Sequence, residues 1–167
     1  MKKSVLLPIS FISIILIIII LTTGCTSIFT HFANIEIMQM LNKLGEANME
    51  GNAAQIVIHY TDPITAIYPP PYEETVVNTL EDELLELEEM MIYVDCLIDD
   101  FSNEDITILD ASNAIVECDE HTKFQDLFEE GVFYEYLDRV KLTLVKIDGA
   151  WKISIYEILS SQDVVPE

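Results

Sequence analysis

Asp148-Gly149 is the point in the chain that leaves the fewest choices open. A two-residue Asp-Gly loop between apolar, alternating segments accepts the positive φ angles of a type I′ turn, so residues 140–159 read as a β-hairpin. The turn also sets the register. Ile147 falls opposite Ala150, Lys146 opposite Trp151, Leu144 opposite Ile153 and Leu142 opposite Ile155, while Thr143 with Ser154 and Val145 with Lys152 lie on a more polar face. A ribbon with one apolar face must be covered, and the cover has to come from earlier in the chain.

The chain begins with Lys2 and Lys3, followed by an apolar run over residues 5–21 broken only by Pro8, Ser10 and Ser13, and small residues lead into Gly24-Cys25. This pattern belongs to export and not to the fold. Leu21-Thr22-Thr23-Gly24-Cys25 resembles the lipobox of prokaryotic lipoproteins, with Thr22 where leucine is usual. That resemblance implies a signal peptide over 1–24, a diacylglycerol on Cys25 and a membrane-held tether over 25–32. The alternative is an uncleaved transmembrane anchor. Either way the paired lysines stay inside, and the expectation is a domain at the cell membrane facing outside the cytoplasm.

Charge narrows the partners. With 8 Lys and Arg against 30 Asp and Glu, the net charge is −22, so no basic surface is available to displace counterions from nucleic acid. Docking on anionic lipid through charge is disfavoured for the same reason. A solvated, extracytoplasmic surface is the plain reading of the excess acid, with adaptation to high salt or weak divalent-cation binding as the alternatives.

Apolar residues at helical spacing predict a first helix over 34–49, capped by Asn34 and ended by Gly51, and a second from Asn52 to about residue 60. Thr61-Asp62-Pro63 stops it, a short β-like run covers 64–68, and three prolines follow. The longest helical signal spans 73–94, with Val76, Leu80, Leu84, Leu87, Met91 and Val94 on one stripe and glutamates over much of the rest. Strands are expected over 106–110 and 113–118, with two registers open around Ala111-Ser112, then over 132–147, with residues 125–131 as a loop and 161–167 as a loose tail.

This order, together with His59-Tyr60-Thr61-Asp62-Pro63 and the run from Val140 through Asp148-Gly149-Ala150-Trp151 to Ile153, resembles the nuclear transport factor 2-like superfamily, which includes ketosteroid isomerases and SnoaL-type cyclases. The resemblance implies an α+β domain over 33–160, a curved antiparallel sheet wrapped round the long helix with a pocket at its open end. The superfamily holds enzymes, carriers and assembly modules, so function has to be read from the site.

The candidate pocket residues are Tyr60, Asp62, Tyr134, Tyr136, Asp138 and Trp151. Strand parity puts Tyr134, Tyr136 and Asp138 on the face of Leu142 and Leu144, where a buried acid and two phenols would polarise a carbonyl. The bland readings stand beside it: Asp62 shapes a turn, Asp138 sits at the rim beside Arg139, and Trp151 belongs to the core or the pocket rim. Where ketosteroid isomerases carry a carboxylate base, this chain has Pro69-Pro70-Pro71. Cys118 and His121 lack a second pair of metal ligands, and neither a phosphate loop nor a nucleophile elbow is present, so no metal and no cofactor is expected. Cys96 and Cys118 are free to pair in an oxidising compartment, but only if the chain folds back after Cys96. The functional expectation is a non-catalytic binding module for a small apolar ligand, a peptide or an envelope protein. An isomerase or cyclase using Asp138 or Asp62 is the alternative, and homodimerisation through the sheet is open.

Overall fold

The computed structural model describes residues 7–164, with side chains from residue 28 onward. It divides into two compact units, Met1–Ile35 and Glu36–Glu167. In the first, the backbone is helical from Leu7 as part of helix α1, Leu7–Met49. Residues 26–32, expected as a tether, are therefore helical, and Asn34 lies inside the helix instead of capping it. No glycine or proline occurs between Gly24 and Gly45, so nothing interrupts the helical hydrogen bonds there. Ile28, Phe29, Phe32 and Ile35 are exposed. The signal peptide expected over 1–24 and the acylation expected at Cys25 rest on side chains outside the described residues. Among the described residues, no helix is long and apolar enough to cross a membrane.

The second unit continues with α2 (Ala53–Val57), β1 (Tyr60–Ile67), β2 (Thr75–Asn78), α3 (Leu80–Tyr93) and four long strands, β3 (Val94–Ile108), β4 (Asn113–Asp126), β5 (Phe133–Ile147) and β6 (Ala150–Asp163). The strands form one curved sheet in the order β2-β1-β6-β5-β4-β3. Every neighbouring pair is antiparallel except β1 and β6, which run parallel. The expected α+β architecture is present, with the last strand in the middle of the sheet.

The hairpin turns at Asp148 and Gly149, whose φ angles of 51° and 83° are those a type I′ turn requires. Ile147, Lys146 and Leu144 face Ala150, Trp151 and Ile153 as the sequence predicts. Beyond that point the register shifts by one residue, so Thr143 pairs with Ile155 and Leu142 with Tyr156 instead of Ile155. Ser154 is the extra residue, and its hydroxyl donates to the Thr143 carbonyl at 3.0 Å. A bulge of this kind reverses the side-chain parity downstream and turns Tyr156 onto the inner face.

That inner face holds the core. Ala114, Val116 and Cys118 of β4, Val140, Leu142 and Leu144 of β5 and Ile153 of β6 are all fully buried. Ile37, Leu41 and Leu44 of α1 recur at four and three residues and are buried as well. Gly45 permits α1 to lie directly on β3, since a Cβ there would stand 2.3 Å from the Asp99 carbonyl oxygen. The helix inside the curved sheet is thus the 36–49 part of α1, whereas the sequence pointed to the glutamate-rich segment. α3 has no fully buried residue, and its apolar stripe is only half covered where it meets α2 and the β1–β2 edge. It is also shorter than expected. Thr75–Asn78 form an edge strand, and Thr79 caps the helix by accepting from the Asp82 amide at 3.2 Å.

Two further expectations change. β4 runs on through residues 119–126 and β6 through Asp163, which pairs with Tyr136, so neither the β4 end point at Cys118 nor the loose tail over 161–163 holds. Cys96 and Cys118 are both free. Cys96 lies opposite Phe124, six residues along β4 from Cys118, which at about 3.3 Å per residue is roughly 20 Å. A disulfide needs its Cα atoms within about 7 Å.

Candidate functional site

The outer half of the inner sheet face differs from the core half in chemistry. Along β4 the alternation Ala114, Val116, Cys118 continues to Glu120, so the strand delivers a carboxyl to the buried face. On β3, Cys96 pairs with Phe124, Leu97 is bulged out, and Asp99 then pairs with Thr122, which turns Asp99 inward. β5 places Asp138 opposite Glu120, and the Ser154 bulge on β6 supplies Tyr156. Glu120 is 7% exposed and Asp99 4%. Three carboxyls and a phenol therefore share an interior that contains no Lys or Arg among the described residues, because Arg139 pairs with Asp119, Lys123 with Glu135 and Lys141 with Glu157 elsewhere.

Their hydrogen bonds show how acids are tolerated there. The Tyr156 hydroxyl donates to Glu120 Oε2. Asn48, at the end of α1, donates through Nδ2 to Asp99 Oδ2 at 2.9 Å. Asp99, turned inward on the neighbouring strand, adds a second acid beside Glu120. Burial above all, then the charge of Asp99, pushes Glu120 up to about 8, with Tyr156 pulling the other way. Burial also raises Asp99, opposed by the bond from Asn48. With Glu120 pushed up to about 8, its carboxyl is the one that keeps a proton at neutral pH. One oxygen of Asp99 and one of Asp138 are buried with no further partner.

Glu120 and Tyr156 form the floor of a cavity of about 450 Å³. β1 contributes Tyr60, Ile64 and Ala66 to its wall, with Tyr68 just beyond, and β2 contributes Val76 and Asn78. Glu74, Glu83 and Glu86 stand round it, the last two holding the Asn78 amide at 3.0 and 3.1 Å. Burial pushes the Tyr60 and Tyr156 hydroxyls far above the ordinary phenol value, so both keep their protons. The arrangement offers neutral hydroxyl donors, a protonated acid and an apolar wall. It offers no nucleophile–base pair, and among the described residues no three His, Cys, Asp or Glu side chains are placed to hold a metal ion.

Of the candidates named from the sequence, Tyr60 lines this cavity and the others stand elsewhere. Asp62 is exposed, and its Oδ1 accepts from the Leu80 amide at 3.3 Å at the start of α3. Tyr134 is on the surface, bonded to Asp126 at 3.2 Å, and Tyr136 is half-buried. Asp138 faces Glu120 across the strands but opens on a different cleft, beside Ser160 and Ser161. Trp151 is buried on the far side, with Nε1 donating to Glu36 at 3.1 Å. Glu120, Asp99 and Tyr156 were missed. The period-two pattern from Ala114 to Glu120 was a signal for the first. The other two depend on bulges that alternation does not mark.

No family model matches the chain, and no curated protein matches it in sequence. Solved structures do match in fold. A candidate scytalone dehydratase from Novosphingobium aromaticivorans superposes with a TM-score of 0.66 at 14% identity, covering 84% of this chain and 93% of the other. A ketosteroid isomerase-like protein from Erwinia carotovora gives 0.62 at 14% identity over 79% and 96%. A nuclear transport factor 2-like protein with a cystatin-like fold, also from N. aromaticivorans, gives 0.64 at 12% identity over 83% and 88%. The chain therefore has the nuclear transport factor 2-like fold, and at such identities the likeness concerns fold alone.

Proposed function

We propose that this chain is an extracytoplasmic lipoprotein, acylated at Cys25, whose folded domain binds a small molecule in the cavity above Glu120. The cavity carries this reading: about 450 Å³, walled by Ile64, Ala66 and Val76, with a few polar groups converging on its floor. Pockets that bind small ligands have this size and this mix of apolar wall and sparse polar contacts. The lipobox-like Leu21-Thr22-Thr23-Gly24-Cys25 supports the membrane tether. Mass spectrometry of the membrane fraction tests the tether: a chain starting at a diacylated Cys25 is expected, and an unmodified Met1 refutes it. Ligand-observed NMR against a library of small amphiphiles tests the cavity. Binders should be lost on Ala66→Trp, which fills the wall, and binders that survive this change occupy some other surface.

A second reading, catalysis of the isomerase or cyclase kind, is favoured by one observation: Glu120, pushed up to about 8 by burial, stands beside Tyr156 and lines the cavity. A neutral carboxylic acid and a phenol together donate to a carbonyl oxygen as it gains charge. Incubating the protein with cyclic ketones in D2O and following deuterium uptake next to the carbonyl by NMR decides between the two. Uptake abolished in Glu120→Gln establishes catalysis, and no uptake over the solvent rate leaves binding as the function.

A further inference from the structure

The buried acids have no cation to match them. Asp99, Glu120 and Asp138 face one another on β3, β4 and β5, and the donors that reach the first two are amide and phenol groups, Asn48 and Tyr156. Of the three only Glu120, 7% exposed, lines the cavity; Asp99, with one oxygen unpartnered, opens on a cleft beside Leu41 and Met49, and Asp138 on the one beside Ser160. The titratable groups round Glu120 from the other elements are Tyr60 of β1, Tyr68 just beyond it, Tyr156 of β6, Glu74 just before β2 and, further up the wall, Glu83 and Glu86 of α3, with the thiols of Cys96 and Cys118 nearby on β3 and β4. Every titratable side chain lining the cavity is thus an acid or a phenol. Buried carboxyls without a positive partner are costly in ionised form, and folding meets that cost here by retaining the proton of Glu120.

We propose that the ligand of this cavity is an organic cation, an ammonium group on a short apolar body, whose charged head docks on Glu120 beside the Tyr60 ring while the body lies along Ile64, Ala66 and Val76. This rests on the cavity being the binding site and names the chemistry it takes. The head replaces the missing positive charge, the faces of the tyrosines favour a cation, and the glutamates of α3 raise its local concentration at the entrance. Anions meet only like charge. Docking also ionises Glu120: the ammonium enters, the Glu120 proton leaves to solvent, and the charge of the site is unchanged. Binding should therefore strengthen as pH rises from 6 towards 8.

The test is calorimetric titration of the full chain in a nonionic detergent, with micelle blanks, using benzylammonium, benzyl alcohol and benzoate as probes. Benzylammonium should bind at least about tenfold tighter than benzyl alcohol, and benzoate should not bind. Titrations near pH 7 in two buffers of different ionisation enthalpy should show up to about one proton released per benzylammonium bound. Glu120→Gln keeps an acceptor for Tyr156 and should lose both the preference and the proton release while still binding benzyl alcohol. If benzyl alcohol binds as tightly as benzylammonium, or no proton is released, the cation proposal falls and the cavity reading stands. If none of the three binds, both fall. Should the variant fail to fold, the proton count on the unaltered chain decides alone.

Discussion

The inner face of the sheet has two halves built from the same strands, and they solve burial in opposite ways. Beneath α1, β4 and β5 present Val116, Leu142 and Leu144, with Ile153 from β6, all without exposure. A few residues along the same strands the inward positions carry Glu120 and Asp138, joined by Asp99 and Tyr156. In the first half burial is favourable by itself, at about 1.5–3 kcal/mol for each large aliphatic side chain. In the second it is tolerated because Asn48 and Tyr156 donate to Asp99 and Glu120 and Glu120 keeps its proton, while one oxygen each of Asp99 and Asp138 goes without a partner. A fold that gives up apolar packing over half of its interior face has been shaped by something besides stability.

Mutations that strike one half at a time separate these two economies. Leu144→Ala empties a fully buried site in the dry half and should lower unfolding free energy by about 2–5 kcal/mol in chemical denaturation, with little change in ligand binding. Gly45→Ala drives a methyl into the Asp99 carbonyl where α1 meets β3; it should cost about 1–3 kcal/mol and disturb both halves, because Asn48 is one turn further along that helix. A Gly45→Ala protein as stable as the parent would show that α1 does not hold this close approach.

Glu120→Gln has the opposite sign. Glu120 rises from an ordinary 4.5 to about 8 in the folded chain, so between those values the unfolded state sheds a proton that the folded state keeps. Stability attributable to this group is greatest near pH 4.5 and is lost as pH rises through about 8. Glutamine removes that dependence, so thermal melts of the variant should fall less from pH 5 to pH 8 and should lie above the parent at the upper end. Parallel melting curves for the two proteins would break the claim that the wet half carries a retained proton. Lys123→Ala gives the smallest effect. Its pair with Glu135 lies away from both halves and is partly exposed, so the expected loss in a thermal melt is about 0–1 kcal/mol.

The same contrast explains what could be read from the sequence. The dry half was legible, because period-two alternation and the Asp-Gly turn mark aliphatic strands, and the Lys146–Trp151 pairing follows from them. The wet half was not. Ser154 and Leu97 each insert one residue, so Ile153 and Tyr156, like Cys96 and Asp99, are three apart yet share a face. Nothing in their composition announces a bulge. Glu120 was passed over because an acid after Ala114, Val116 and Cys118 looks like the end of a strand. The glutamates of α3 misled in the other direction. Their stripe is regular, but α1 brings Ile37, Leu41 and a glycine at position 45, which fit a concave surface more closely than a charged helix does.

The place of β6 has one more effect. It follows the other five strands of the sheet in sequence and lies between β1 and β5, so during N-to-C synthesis the β1–β2 pair has no neighbour to join until β3, β4, β5 and β6 have all emerged. The pairing of Tyr60 with Ile153 spans most of the second unit, and such distant partners slow folding. The two parts of the sheet are thus zipped together by the last of the six strands to appear, and a truncation within residues 150–158 should leave a β1–β2 flap and a three-stranded remnant in place of a smaller version of the domain.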